Sequence, residues 1–226
     1  VYEYIDKCYL SARNIDMHRT VRYKKRTKQE KTPKVSSRKK LGHRHNDFLK
    51  YIEENPGTRI VQMDTVEGVK GGKLLQTFLW PENNLMLAFL IDSKEMSNTV
   101  RVIDYIEETI GIEEFTELFP IILTDNGSEF ADPEKFEKGI NGEKRTRLYY
   151  CEARHSEQKG ELEKNHEYIR YVLPKKTSFD ELTQEKVQLM VNHINSTSRP
   201  KFNGETPINK ALKSCDKNAM EKLGLE

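Results

Sequence analysis

Between residues 59 and 91, three runs rich in β-forming side chains are separated by nothing longer than a turn. In the first, residues 59–66, Ile60, Gln62 and Asp64 alternate with Val61, Met63 and Thr65. The glycine-rich stretch 68–72 leads to the second run, 73–80, and the turn 81–84 leads to the third, 85–91. Connections this short permit only antiparallel neighbours, so the three runs predict a meander. A helical pattern follows over residues 98–110, with Val102, Ile103, Ile106 and Ile110 on one face and Ser97 or Asn98 as its cap. Residues 120–123 are wholly apolar and end at Thr124-Asp125. A strand, a helix and another strand imply a crossover, which makes the fourth strand parallel to a neighbour.

Residues 145–151 supply a fifth strand candidate, and helices are expected over 157–172 and 179–195. This order fits an α/β chain of the ribonuclease H-like fold, with a five-stranded mixed sheet and flanking helices. The 226 residues allow one substantial core plus appendages. The core is expected over 58–212, followed by a tail at 213–226. In front lies a basic linker or arm, 13–57. A short helix over 44–54 is expected within it, with Phe48, Tyr51 and Ile52 on one side, stopped by Asn55-Pro56-Gly57. Residues 13–50 hold 14 Lys/Arg against 3 Asp/Glu, a local +11 inside a net charge of +2. Residues 51–226 therefore sit at −8. A basic arm before an acidic body suggests an arm that meets phosphates and a body that meets cations; a solvated linker is the competing reading.

No apolar run reaches the roughly 18 residues of a membrane span, and no signal-peptide pattern is present. The first residue is Val, so the chain is expected to be a piece of something longer. Cys8, Cys151 and Cys215 are too far apart for a zinc or disulfide pattern and read as free thiols of a reducing cytoplasm.

Two segments carry the chemistry, MDTVEG around Asp64 and LTDNGSEF around Asp125. In the expected topology the first and fourth strands are neighbours, and sites in such sheets form at the carboxyl ends of parallel strands. Asp64 and Asp125 can then meet beside a hard cation, Mg²⁺ or Mn²⁺. Two such ions about 4 Å apart suit an in-line phosphoryl transfer. Against this, Asp-Asn-Gly is also a common turn sequence. A third carboxylate is expected from the helix over 157–172. At about 100° per residue, Leu162, His166, Ile169 and Leu173 face inward. Glu163 and Glu161 flank that stripe on opposite sides, and geometry leaves both open.

MDTVEG, ILTDNGSEF and SEQKGELEKNHEYIRYVLPKKTSFDEL resemble the catalytic core of the IS-thirty family of bacterial insertion-sequence transposases. These belong with the DDE transposases and retroviral-type integrases. The resemblance spans about residues 58–212 and touches the arm through NIDMHRTVRYKKR. It implies a catalytic, metal-holding triad of Asp64, Asp125 and Glu163, at spacings of 61 and 38 positions. Asn126 and Glu129 match the motif around the second aspartate, as supports of the ligands. Lys159, His166 and Arg170 match polar positions of the glutamate helix that contact DNA. Lys24, Lys25 and Arg26 would contact DNA from the arm. STSRPKFNGETPINKAL, with Arg199 and Pro200, resembles the family's closing segment. Residues 1–12 would be the end of a truncated helix-turn-helix region. Glu157 and Ala153-Arg154 depart from the family pattern, which has an aromatic residue and Asp-Pro there.

The resemblance implies metal-dependent cleavage at transposon ends and strand transfer into target DNA. It also implies double-stranded DNA as partner, a homodimer or higher assembly on that DNA, and a bacterial cytoplasmic, nucleoid-associated location. A ribonuclease H-like nuclease without strand transfer, or a non-catalytic DNA-binding protein derived from a transposase, are the alternatives.

Overall fold

The computed structural model describes residues 4–5, 7, 9–11, 41–152 and 156–225. Lys24, Lys25 and Arg26, with the rest of 12–40, lie outside the described residues, as do Ala153 and Arg154. The chain divides into two compact units, Val1–Pro33 and Lys34–Glu226. In the first, Tyr4 and Ile5 are helical and the Tyr9 amide donates to the Tyr4 carbonyl at 2.9 Å.

The second unit is built on a five-stranded sheet in the order β3-β2-β1-β4-β5. Its strands are β1 (Ile60–Glu67), β2 (Leu74–Trp80), β3 (Leu85–Ile91), β4 (Ile121–Thr124) and β5 (Arg147–Tyr150). β1, β2 and β3 form the expected antiparallel meander. β4 runs parallel to β1 and β5 parallel to β4. This is the ribonuclease H-like arrangement, a mixed open sheet with helices on its flanks.

Alternation along the parallel strands assigns the two faces. Ile122, Leu148 and Tyr150 join the main apolar cluster, together with Val102, Ile103, Ile106 and Ile110 of α2 (Met96–Ile110). Ile121, Leu123, Tyr149 and Cys151 point the other way, onto Phe48 of α1 (His45–Glu54). A period of two cannot do otherwise, and a strand covered on both faces reads as continuous apolar sequence. β2 is buried at every position.

Element boundaries depart from expectation where side-chain chemistry intervenes. Neither Ser97 nor Asn98 caps α2; the helix starts at Met96, and the Asn98 amide donates instead to the Ser93 carbonyl and hydroxyl. A further helix, α3 (Ile112–Leu118), follows Gly111, whose φ of 94° breaks the helical run. A short helix, α4 (Pro133–Glu137), precedes β5. The glutamate helix, α5 (Gly160–Val172), follows a 3-10 turn at Ser156–Lys159. The next helix, α6 (Gln184–Asn195), begins later than 179 because the Thr183 hydroxyl caps it by accepting from the Lys186 amide. α7 (Pro207–Ala211) and α8 (Lys217–Lys222) complete the unit. The tail at 213–226 is part of the core: Ala219, Met220, Leu223 and Leu225 are buried in the main cluster.

Both edges of the sheet are closed by hydrogen bonds. On β3, the Asn195 side chain accepts from Met86 N–H and donates to Met86 C=O, each at 2.9 Å. Gln184 does the same for Leu90 N–H and Ala88 C=O. On β5, His43 C=O accepts from Tyr150 N–H, and Glu137 accepts from Leu148 N–H.

Candidate active site

Asp64 lies in β1 opposite Thr77 of β2. The β1–β4 register pairs Gln62 with Leu123, so Asp64 and the residue just past β4, Asp125, reach the same level of the sheet. Both stand toward the carboxyl ends of adjacent parallel strands, where such sheets bind ligands. Asp125 Oδ1 accepts from Gly127 N–H at 2.9 Å, closing the Asp-Asn-Gly turn. Asn126 Nδ2 donates to Cys151 C=O at 2.7 Å, which ties that turn to the end of β5. The turn motif is therefore both a turn and a means of fixing Asp125.

Glu129 is 1% exposed. Its Oε1 accepts from the Thr65 hydroxyl at 3.0 Å and pairs with Lys94 at 3.2 Å. Its Oε2 is buried without a hydrogen-bond partner among the described residues. A Cβ on Gly127 would stand 2.4 Å from that oxygen and 3.0 Å from Asp125 Oδ1, so only glycine leaves room for the two carboxylates to converge. Burial acts to lower the Lys94 pKa, but Glu129, Asp125 and Glu67 outweigh it and hold the ammonium above its ordinary value. Lys94 drew no notice in the sequence; its only signal was a position just after β3.

α5 is pinned to the sheet at its start. The Gln62 side chain, two residues before Asp64 on the same face, donates to Gln158 C=O at 3.2 Å and accepts from Leu162 N–H at 3.1 Å. It satisfies one of the four orphan N–H groups of the helix N-terminus. Gln62 was also missed as a site residue, although alternation places it on the Asp64 face. Further along α5, Arg199 stacks on the Tyr168 ring at 4.0 Å and donates to Ile194 C=O at 3.0 Å, joining the helix to the segment after α6.

The expected site residues of α5 take different positions. Glu163 is exposed and makes no hydrogen bond or ion pair to another described residue. Glu161, the competing candidate, pairs with Lys201 at 3.0 Å. His166 turns inward and meets the Thr77 hydroxyl at 2.9 Å. The same hydroxyl lies 3.2 Å from Asp64 C=O and donates to it when the imidazole Nε2 carries the hydrogen of its bond to Thr77. Burial holds the His166 pKa down to about 4, against the opposing pull of Asp64. Arg170 donates to Glu67 C=O at 3.0 Å. Lys159 is 6% exposed, and its Nζ lies 3.0 Å from Asp64 Oδ2.

Among the described residues, no three His, Cys, Asp or Glu side chains converge tightly enough to hold a metal as they stand. The donor set nonetheless suits a hard divalent cation. Asp64 and Asp125 supply carboxylate oxygens at one level, Glu129 adds a buried oxygen without a partner, and two ammonium groups provide the countercharge.

The fold is thus ribonuclease H-like, with Asp64 and Asp125 at one level of its sheet. No known family profile matches the chain. In sequence it resembles insertion-sequence transposases. It is 28% identical over 103 residues to the transposase for insertion sequence element IS4351 of Bacteroides fragilis, covering 46% of this chain and 30% of that protein. It is 27% identical over 208 residues to the probable transposase for insertion-like sequence element IS1161 of Streptococcus salivarius, covering 88% and 54%. The chain thus spans from under a third to about half of the curated relatives it matches. In structure it is similar to a chain of the simian T-cell lymphotropic virus intasome in complex with PP2A regulatory subunit B56 gamma, with a TM-score of 0.52 and 16% identity over 71% of this chain and 55% of the other. The catalytic core domain of BIV integrase aligns with a TM-score of 0.48 and 20% identity over 70% and 96%. No helix among the described residues is long and apolar enough to cross a membrane.

Proposed function

We propose that the chain is the catalytic core of a DNA transposase that cuts at transposon ends and joins them to target DNA. The observation that carries this reading is the level placement of Asp64 and Asp125 on adjacent parallel strands, beside the start of a helix bearing Glu163. Likeness to insertion-sequence transposases supports it.

Asp64, Asp125 and Glu163 would hold one or two Mg²⁺ or Mn²⁺ ions. Such ions, when bound, lower the pKa of the attacking hydroxyl and neutralise charge on the phosphodiester. The remaining work belongs to the chain. Gly127 N–H fixes the rotamer of Asp125, Thr65 N–H fixes Asp64 through Oδ1, and Gln62 fixes where α5 begins. Glu163 is free of competing partners among the described residues, so its exposed carboxylate can turn toward the two aspartates. Lys94 sits beside Glu129 and Asp125 at the mouth, where an ammonium meets a strand phosphate. In this reading Arg170, with Lys24, Lys25 and Arg26 of the arm, tracks backbone phosphates without reading sequence. The partners are double-stranded transposon ends and target DNA, held by two or more copies, in the bacterial cytoplasm at the nucleoid.

The test is strand transfer with a labelled transposon-end duplex, target plasmid and Mn²⁺ or Mg²⁺. Wild type should give joined product and Glu163→Gln should lose it by at least about a hundred-fold. Cleavage without joining would instead identify a nuclease, and binding without any product a non-catalytic protein.

A further inference from the structure

Lys159 stands where a cation should be least comfortable. It is the N-cap residue of α5, and a helix N-terminus carries partial positive charge. It is almost fully buried, and a buried ammonium requires a carboxylate. Asp64 is its only ion-pair partner among the described residues. Even there the contact lacks hydrogen-bond alignment, and Nζ makes no hydrogen bond within the described protein, although an ammonium has three donors to place.

We propose that Lys159 is a metal-displaced cation: it neutralises Asp64 in the metal-free protein and is released to a DNA phosphate when a divalent ion takes its place. The proposal rests on the transposase reading of the same site. Once Asp64 serves a divalent ion, Lys159 would face like charge, burial and the helix N-terminus at once. Its flexible four-carbon stem lets the ammonium leave while the apolar part stays packed. Metal binding and phosphate binding are then linked, each strengthening the other. A chain without DNA would hold metal weakly, which restrains cutting until an end is in place.

Lys159→Met removes the competitor. In calorimetric titration of the DNA-free protein with Mn²⁺, the variant should bind at least about five-fold more tightly than wild type, and Lys159→Arg should not. In wild type, Mn²⁺ should raise the rate of Lys159 acetylation by an amine-reactive reagent several-fold, read by mass spectrometry. With Mn²⁺ present, the salt dependence of binding to a random duplex should be steeper in wild type than in Lys159→Met by about 0.9, one phosphate contact, and equal without it. Equal or weaker Mn²⁺ affinity in Lys159→Met, or unchanged acetylation in wild type, overturns the inference alone. Absence of Mn²⁺ binding to both proteins overturns the metal reading and the inference together. Should Lys159→Met fail to fold, the wild-type acetylation rate decides.

Discussion

His166 shows how one side chain serves two readings. The resemblance implies a DNA contact for it, yet the ring is turned to the sheet and shares a hydrogen bond with Thr77. Periodicity puts it in the inward stripe with Leu162 and Ile169, so the orientation was legible, whereas the hydroxyl it meets was not. The sign of its titration follows from burial. The folded-state pKa is depressed to about 4, while the unfolded chain protonates near 6.5. Stability is therefore lost as pH falls through 6.5 and the loss is complete near 4, up to about 3 kcal/mol. Urea unfolding of wild type and His166→Gln between pH 7 and 4 should show a shallower decline in the variant. Parallel declines would mean that the ring is hydrated in solution.

Between elements, the strongest polar join is one the sequence concealed. Arg145 is fully buried, and its Nη1 bonds Asp104 at 2.7 Å and Glu107 at 2.8 Å, both on α2. Its Nε donates to Phe136 C=O at 2.7 Å on α4, and the guanidinium faces the Phe115 ring of α3. One side chain thus ties three helices to the strand it precedes. In the sequence it lies within Glu-Lys-Arg-Thr-Arg, which reads as solvated charge, and Glu107 reads as the polar face of a helix. Strand order and the α2 apolar face were legible because each rests on a repeated local pattern. Gln62, Arg145 and Glu107 were not, because the Arg145–Glu107 and Gln62–Leu162 contacts span 38 and 100 positions. α3 and the buried tail were missed because each is too short for its period to stand out. Arg145→Ala should cost about 3–5 kcal/mol, since it leaves the Glu107 carboxylate buried without a cation. A shift in the urea midpoint worth less than 1 kcal/mol would mean that water reaches Glu107.

At the scale of the sheet-bearing unit, the parallel strands place the aspartates, and the antiparallel ones supply a rigid flank. That division was readable from connection lengths alone: turns between β1, β2 and β3, and a crossover before β4. The closing of the β3 edge was not readable, because Asn195 and Gln184 sit in an amphipathic helix whose amides look like ordinary surface polarity. Asn195→Leu would strip Met86 of both its side-chain bonds and expose a strand edge. Light scattering at raised temperature should then show aggregation earlier than in wild type, and unchanged scattering would mean that another group covers the edge. The shielded edges also limit how copies of this unit can meet. With Met86, Leu90, Leu148 and Tyr150 N–H already bonded, the sheet resists lengthening by another strand, whether from a neighbour or from a peptide. Copies that do associate would then meet through helix and loop surfaces rather than by joining sheets, and a crowded protein is kept from seeding fibres at those edges.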